Sequence, residues 1–286
     1  NDVSYVSTGG GALLEYIEKN PEFIQPEAKK NEVLGFLRQP LHDLCISRPK
    51  SRLAWGIELP FDKDYVTYVW FDALLNYATG VGYQQKSRDA DYKKWWCDTR
   101  AIHLIGKDIL MTHAVYWPTM LMALGAPLPK TIFAHGWWLT DGGEKMSKSK
   151  GTVVKPLDMK NIIGVDALRY FLTRDIVFGN DAAFSQELVI TRVNADLANN
   201  FGNLWSRVSN LVEKKFSAHV PSFDLTKASP RTQEMLNILS ATAPKVKNAI
   251  ENLAPHLAVQ SVIEMLAEAN KYIGDRAPWK EVKTDL

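Results

Sequence analysis

Three lysines fall within six residues, Lys145, Lys148 and Lys150, in the string Glu-Lys-Met-Ser-Lys-Ser-Lys-Gly-Thr at 144–152. A cationic arm with small residues between its charges can wrap a nucleotide's phosphates while charge moves onto leaving pyrophosphate. Charge alone reads equally as a solvated basic loop, the commoner fate of such a run. A second group is Gly-Lys-Asp-Ile-Leu-Met-Thr-His at 106–113. There a glycine at a strand-to-helix turn lets a ligand approach the backbone, and Asp108 suits ribose hydroxyls. The plain alternative is an ordinary turn with Asp108 as a helix cap.

Two aromatic sets follow helical spacing. Ile109 and His113 stand at i and i+4, with Trp117 a turn further on. Trp70, Ala73 and Tyr77 stand at i, i+3 and i+7. Such stripes are more often core than pocket. As a pocket they suit a thioether, which is apolar, polarisable and only a weak acceptor. The tips of Tyr77 and His113 then offer the means to tell sulfur from methylene.

These groups need a sheet and helices to hold them. Strands are expected at 53–59 and 65–70, flanking a turn at 60–64, and again at 101–105 and 131–134. Residues 12–38 and 108–124 read as helical, the latter stopped by Gly125, Ala126 and Pro127. Strand, helix, strand in that order implies a parallel sheet with crossover helices. From about residue 157 strands disappear. Apolar residues then step by three or four from Ile190 to Leu211, from Leu236 to Leu253 and from Val262 to Ile273. Pro244 should kink or restart the second stripe. The expected architecture is a Rossmann-like α/β parallel sheet followed by an all-α bundle, dividing into 1–40, 41–180 and 181–286.

Composition sets the outer limits. The 286 residues are 46% hydrophobic with a formal charge of +2, which neither demands nor excludes a nucleic-acid partner. The two cysteines, Cys45 and Cys97, form no CxxC pair, so no cysteine zinc site is expected in this portion. No apolar run reaches the roughly 18 residues needed to span a membrane. A cytoplasmic protein is expected, with an organelle left open. The triple glycine at 9–11 enters the first helical stretch at an entropic cost and reads as a flexible loop, an engineered replacement or a joining scar.

Lys-Met-Ser-Lys-Ser at 145–149 resembles in full the signature loop of class I aminoacyl-tRNA synthetases. The sequence around Trp70 and His113 resembles the methionine pocket of the methionyl-tRNA synthetase family. Asp-Leu-Cys-Ile-Ser-Arg at 43–48 resembles its segment ending in an active-site arginine. Phe-Ala-His-Gly-Trp-Trp at 133–138 resembles the strand edge that holds adenine. Asn-Asn-Phe-Gly-Asn-Leu-Trp-Ser-Arg at 199–207 and Ala-Pro-Trp at 277–279 resemble the elements that read the anticodon, by hydrogen bonds and by stacking.

The resemblance implies catalytic roles for Lys145, Lys148 and Arg48, with ATP held by Gly106, Asp108, His135, Trp138, Met146, Ser147 and Ser149. It implies methionine contacts from Trp70, Ala73, Tyr77, Ile109 and His113, and anticodon contacts from Asn203, Arg207 and Trp279. The substrates would be methionine, ATP with Mg²⁺, and tRNA(Met). The family's second signature, His-x-Gly-His, does not occur in the sequence. The resemblance therefore implies that the sheet is incomplete, that 1–40 is the end of a connective insertion and a linker, and that the N-terminal half of the catalytic domain is needed, in the same protein or on a separate chain. Two other readings remain: a sister class I synthetase, and a non-catalytic tRNA-binding or interaction protein of the same fold.

Overall fold

The computed structural model describes residues 5–42, 44–99, 101–147 and 151–281, with the side chains of 5–10 and 281 left aside. Helix α1 (Tyr5–Lys19) leads into a two-residue strand β1 (Ile24–Gln25) and helix α2 (Glu27–Leu37). The helical stretch expected at 12–38 is thus cut in two. Ile24 and Phe23 are buried, and β1 pairs in parallel with β6 (Thr131–His135), so sheet pairing overrides the charged, helix-prone surroundings. The triple glycine lies inside α1 rather than in a loop. Leu13 and Ile17, both fully buried, anchor that helix from its C-terminal half.

An antiparallel sheet follows, in the order β2 (Ser47–Pro49), β4 (Asp62–Thr67), β3 (Glu58–Leu59). Little of the strand expected at 53–59 forms, because the chain turns through 53–56 and Gly56 adopts φ 144°. The strand expected at 65–70 ends at Thr67. Helix α3 (Val69–Gly80) begins straight after Tyr68, so Trp70 is helical and shares a face with Ala73 and Tyr77. A short helix α4 (Asp89–Tyr92) runs into a wide π-helical turn, Lys93–Asp98. Strand β5 (Ile102–Gly106) pairs in parallel with β6, giving the sheet order β1–β6–β5. Between β5 and β6 the chain forms a 3₁₀ turn at Lys107–Ile109, a π turn at Thr112–Tyr116 and helix α5 (Trp117–Ala123). The helix expected at 108–124 is therefore present but not of one pitch.

Packing divides the chain into two compact units, 1–136 and 137–286. The boundary expected near residue 180 falls within the second of these units. In the second unit β7 (Trp138–Leu139) pairs in parallel with β8 (Ala182–Ala183), so one short strand lies beyond the point where strands were expected to end. Helices α6 (Pro156–Ile163) and α7 (Val165–Arg174) lie between them in sequence. A continuous helical run follows: α8 (Gln186–Arg192), a π segment at Val193–Gly202, and α9 (Asn203–Lys215). Ser185 caps its start by accepting from the Leu188 amide at 3.2 Å. Helices α10 (Pro230–Glu251) and α11 (Pro255–Arg276) pack on each other, and α12 (Pro278–Glu281) ends the described chain. Pro244 sits within α10 without restarting it. No helix of the described residues is long and apolar enough to cross a membrane.

Candidate functional site

In the first unit, β5 and β6 end side by side. Their register places Gly106 opposite His135 at the carboxyl edge of the parallel sheet, where ligands of open α/β sheets bind. A Cβ at Gly106 would stand 2.6 Å from Asp108 Oδ1, so only glycine leaves that carboxylate its position. Asp108 itself is exposed at the start of the 3₁₀ turn. His135 turns its Nδ1 to the Gly136 carbonyl at 2.8 Å.

The residue after Asp108 in the same turn, Ile109, begins a largely aromatic box. Tyr77 Oη lies 3.0 Å from His113 Nε2, and His113 Nδ1 lies 3.0 Å from the Ile109 carbonyl. That carbonyl can only accept, so Nδ1 carries the proton. Neutral His113 then leaves Nε2 as acceptor, and the Tyr77 hydroxyl donates to it. Neutrality fits the burial: His113 is 1% exposed, and desolvation lowers its pKa against the opposing Ile109 bond. Trp70 stands edge-on to His113 at 6.0 Å between centroids, and Ile109 is half-buried beside it. Tyr77 keeps 38% of its surface exposed, so a ligand can reach its ring. The two polar tips expected to meet a ligand therefore meet each other. Ala73 occupies the exposed middle of the same helical face.

Behind the box stands a layer of which the sequence had singled out only Trp117. His103, on β5, lies 4.4 Å from the Tyr77 ring and accepts from Trp117 Nε1 at 3.1 Å. Burial, and secondarily the nearby His113, push its pKa down to about 4, so it too is neutral at pH 7. Trp96 packs edge-on against Trp117 and closes this layer. The alternation of exposed Ile102 and Leu104 with buried His103 and Ile105 was the available signal.

Arg48 sits on β2 with its guanidinium 4.1 Å above the Tyr68 ring and Nη1 donating to the Ser47 carbonyl at 2.9 Å. Tyr68 immediately precedes α3, so Arg48 rests on the entrance of the helix that carries Trp70 and Tyr77.

In the second unit, Lys145 is exposed and its Nζ lies 3.8 Å over the Trp137 ring. Met146 packs on the cluster of Met159, Leu168, Phe171, Phe184 and Val189. The Ser147 amide donates to Thr152 Oγ1 at 2.9 Å, and the Thr152 amide returns to the Ser147 carbonyl at 3.2 Å. Lys148 and Ser149 lie outside the described residues. Trp138 is stacked on Phe171 at 5.8 Å and edge-on to Phe184, within that apolar cluster. Farther along, Asn203 and Arg207 occupy one face of α9, and the Arg207 guanidinium lies 5.3 Å over the Trp279 ring. Residues distant in sequence are thus gathered in pairs on each unit: Tyr77 with His113, and Arg207 with Trp279.

Known proteins with this pattern are numerous. A methionine–tRNA ligase of Clostridium perfringens is 49% identical over 93% of the chain and 40% of its own length. One from Bacillus subtilis is 41% identical over 93% of the chain and 39% of its own length. The chain thus spans about two fifths of the curated relatives it matches. In structure it is similar to a Mycobacterium tuberculosis methionyl-tRNA synthetase bound by methionyl-adenylate. That likeness has a TM-score of 0.90 at 39% identity and covers 98% of the chain and 54% of the other. The family model for class I (M) tRNA synthetases matches residues 6–209. With well over half of its residues in that match, the chain belongs to the class I (M) tRNA synthetase family.

Proposed function

We propose that this chain is the later part of the catalytic domain, with the anticodon-reading bundle, of a methionine–tRNA ligase acting in the cytoplasm. The observation that carries the reading is the segment 106–113. Within it, a glycine-and-aspartate turn suited to a ribose runs directly into the Tyr77–His113 box suited to an apolar side chain. A nucleotide and an amino acid held on one short segment are the two substrates of adenylate formation.

The chemistry asks the protein for little covalent work. A methionine carboxylate oxygen attacks the α-phosphorus of ATP, the bond to the bridging oxygen breaks, and pyrophosphate leaves with Mg²⁺. The terminal ribose hydroxyl of tRNA(Met) then attacks the methionyl carbonyl, and AMP leaves. In this reading Gly106, Asp108 and the chain at His135 hold the nucleoside. Trp138 serves the adenine side through its backbone, since its ring is packed away. Lys145 and Lys148 neutralise the phosphates, with Met146, Ser147 and Ser149 shaping their loop, and Arg48 assists the carboxylate. Trp70, Ala73, Tyr77, Ile109 and His113 surround the methionine side chain. Because the Tyr77 proton is committed to His113, the thioether is recognised by ring-edge contacts and by shape. Asn203 and Arg207 meet anticodon bases, and a base stacks on Trp279.

A further segment completes the sheet. Among the described residues β5 pairs on one side only, which leaves an edge open to a further parallel strand, and its exposed Ile102 and Leu104 fit a sheet whose face is covered by further chain. We place the missing half of the catalytic domain along that edge. The 286-residue chain alone should show no methionine-dependent ATP–pyrophosphate exchange. The complete protein should show it with methionine, and only weakly with leucine, isoleucine, valine or cysteine. A preference for one of those four would mean a sister synthetase, and no exchange with any amino acid a non-catalytic RNA binder. Lys148→Ala in the complete protein should slow adenylate formation by about two to three orders of magnitude. Methionine affinity should stay within about twofold, and equal losses would remove the assigned role.

A further inference from the structure

The helix that carries Asn203 and Arg207 is not of one pitch. Ten residues upstream of it, Val193–Gly202, form a π-helix, whose wider turn holds about one residue more than an α-turn. One residue corresponds to roughly 100° of α-helix. The length of the wide segment therefore decides which face of α9 the two candidate anticodon residues occupy. Wide turns are less favourable than α-turns and persist where the surroundings hold them.

Two anchors do the holding. Asp196, in the first wide turn, is 8% exposed and lies between α7 and its own helix. Tyr170 Oη donates to its Oδ2 at 2.6 Å, Arg174 Nε stands 3.6 Å from the same oxygen, and Arg192 Nη1 stands 3.8 Å away. Arg192 also bonds Asp175 at 2.9 Å, so the two arginines and two aspartates balance in charge. Arg174 Nε is buried and has no hydrogen-bond acceptor within range, which leaves Asp196 as the nearest anion. One α-helical step on, Asn200 donates to the Ile263 carbonyl at 3.3 Å and accepts from Asn270 Nδ2 at 2.7 Å, both on α11. Gly202 closes the segment, and a Cβ there would stand 3.1 Å from the Leu197 carbonyl oxygen, five residues back.

The same layer reaches the lysine loop. Phe171, the neighbour of Tyr170 on α7, is fully buried in the cluster on which Met146 packs, together with Val189 and Val193 of the reading helix. Helix α7 thus touches the loop's hydrophobic base with one residue and Asp196 with the next.

We propose that Asp196, with Tyr170 and Arg174 behind it, is a positioning residue. It fixes the wide register of the helix and so the face that Asn203 and Arg207 present to the anticodon. This rests on the anticodon reading given above.

The test uses the complete protein carrying Asp196→Asn, which keeps the shape and removes the charge, and Tyr170→Phe, which removes one hydroxyl and should fold even if the first does not. Methionine-dependent exchange, the KM for tRNA(Met), and the preference over a tRNA with one altered anticodon base are measured. The expected result for Asp196→Asn is exchange within about twofold, KM raised about tenfold and the preference reduced about tenfold. Tyr170→Phe should give smaller changes of the same kind. An unchanged KM and preference in both variants would overturn the proposal. So would exchange falling as far as aminoacylation, which is the mark of a merely loosened fold. Asn203→Ala serves as the control. If it too leaves the tRNA KM unchanged, the anticodon reading fails first and takes this inference with it. If it raises KM while both other variants do not, the inference alone fails.

Discussion

The box around Tyr77 and the face around Arg207 are both aromatic sites, yet they are built in opposite ways. In the box, His113 and His103 are buried and neutral, each nitrogen that the hydrogen-bond pattern fixes is satisfied within the protein, and only the Tyr77 ring opens outward. On α9 the contacting groups stay charged or polar at the surface, and the buried polar work is done one helical segment away at Asp196. The difference matches the ligands proposed for each. A small apolar side chain is recognised by exclusion, so its site must be dry and self-satisfied beforehand. A splayed RNA base is recognised by groups with bonds still to make, so its site must hold exposed donors in a fixed direction.

Acid should separate the two regions most. The folded pKa of His103 lies near 4, below its ordinary 6.5, so its contribution to stability is complete above 6.5 and is lost as the pH falls toward 4. At 1.36 kcal/mol per unit the full loss is about 3 kcal/mol. The protection factors of β5 amides, taken against the intrinsic exchange rate at each pH, should fall over that window. In His103→Gln, which keeps an acceptor for Trp117 and does not titrate, the window should flatten, and an identical profile would exclude His103 as its source. Next in size, Trp70→Ala should raise the KM for methionine about thirtyfold, or ~2 kcal/mol, with tRNA binding unchanged. Arg207→Ala should do the reverse, raising the KM for tRNA(Met) about tenfold while exchange stays level. If either substitution moved both constants together, the two regions would not be independent sites.

The smallest effect concerns α1. A Cβ at Gly11 meets nothing within 4 Å, so Gly11→Ala should stabilise that helix by ~0.5–1 kcal/mol in a thermal melt. Packing supplies no reason for glycine there.

How much of this was legible beforehand follows physical lines. Strands β5 and β6 were readable because strands of parallel sheets are short, apolar and β-branched. Strand β1 was not, since two residues carry no period and Ile24 is held by its partner Ile132 rather than by local preference. Trp70 was assigned both to a strand and to a helical face, and the helix prevailed because α3 starts as soon as β4 has turned back at Tyr68. The Tyr77–His113 pair was visible through spacing and family likeness. His103 and Trp117 were not read as one unit, because a strand's alternation tells which side is buried but not which ring waits there. Asp196 was silent for a simpler reason: a lone acid on an amphipathic helix reads as solvated, and only α7 makes it a hub.

Lys145 has a resting place with a cost that can be estimated. An exposed ammonium over an indole is worth about 0.5–1 kcal/mol, less than a charge-assisted bond to phosphate. In the role proposed for it, the lysine can therefore be drawn off Trp137 by a triphosphate without a large penalty, and the vacated ring would change its electronic surroundings. The emission of Trp137 becomes a built-in gauge of whether the loop is parked or engaged.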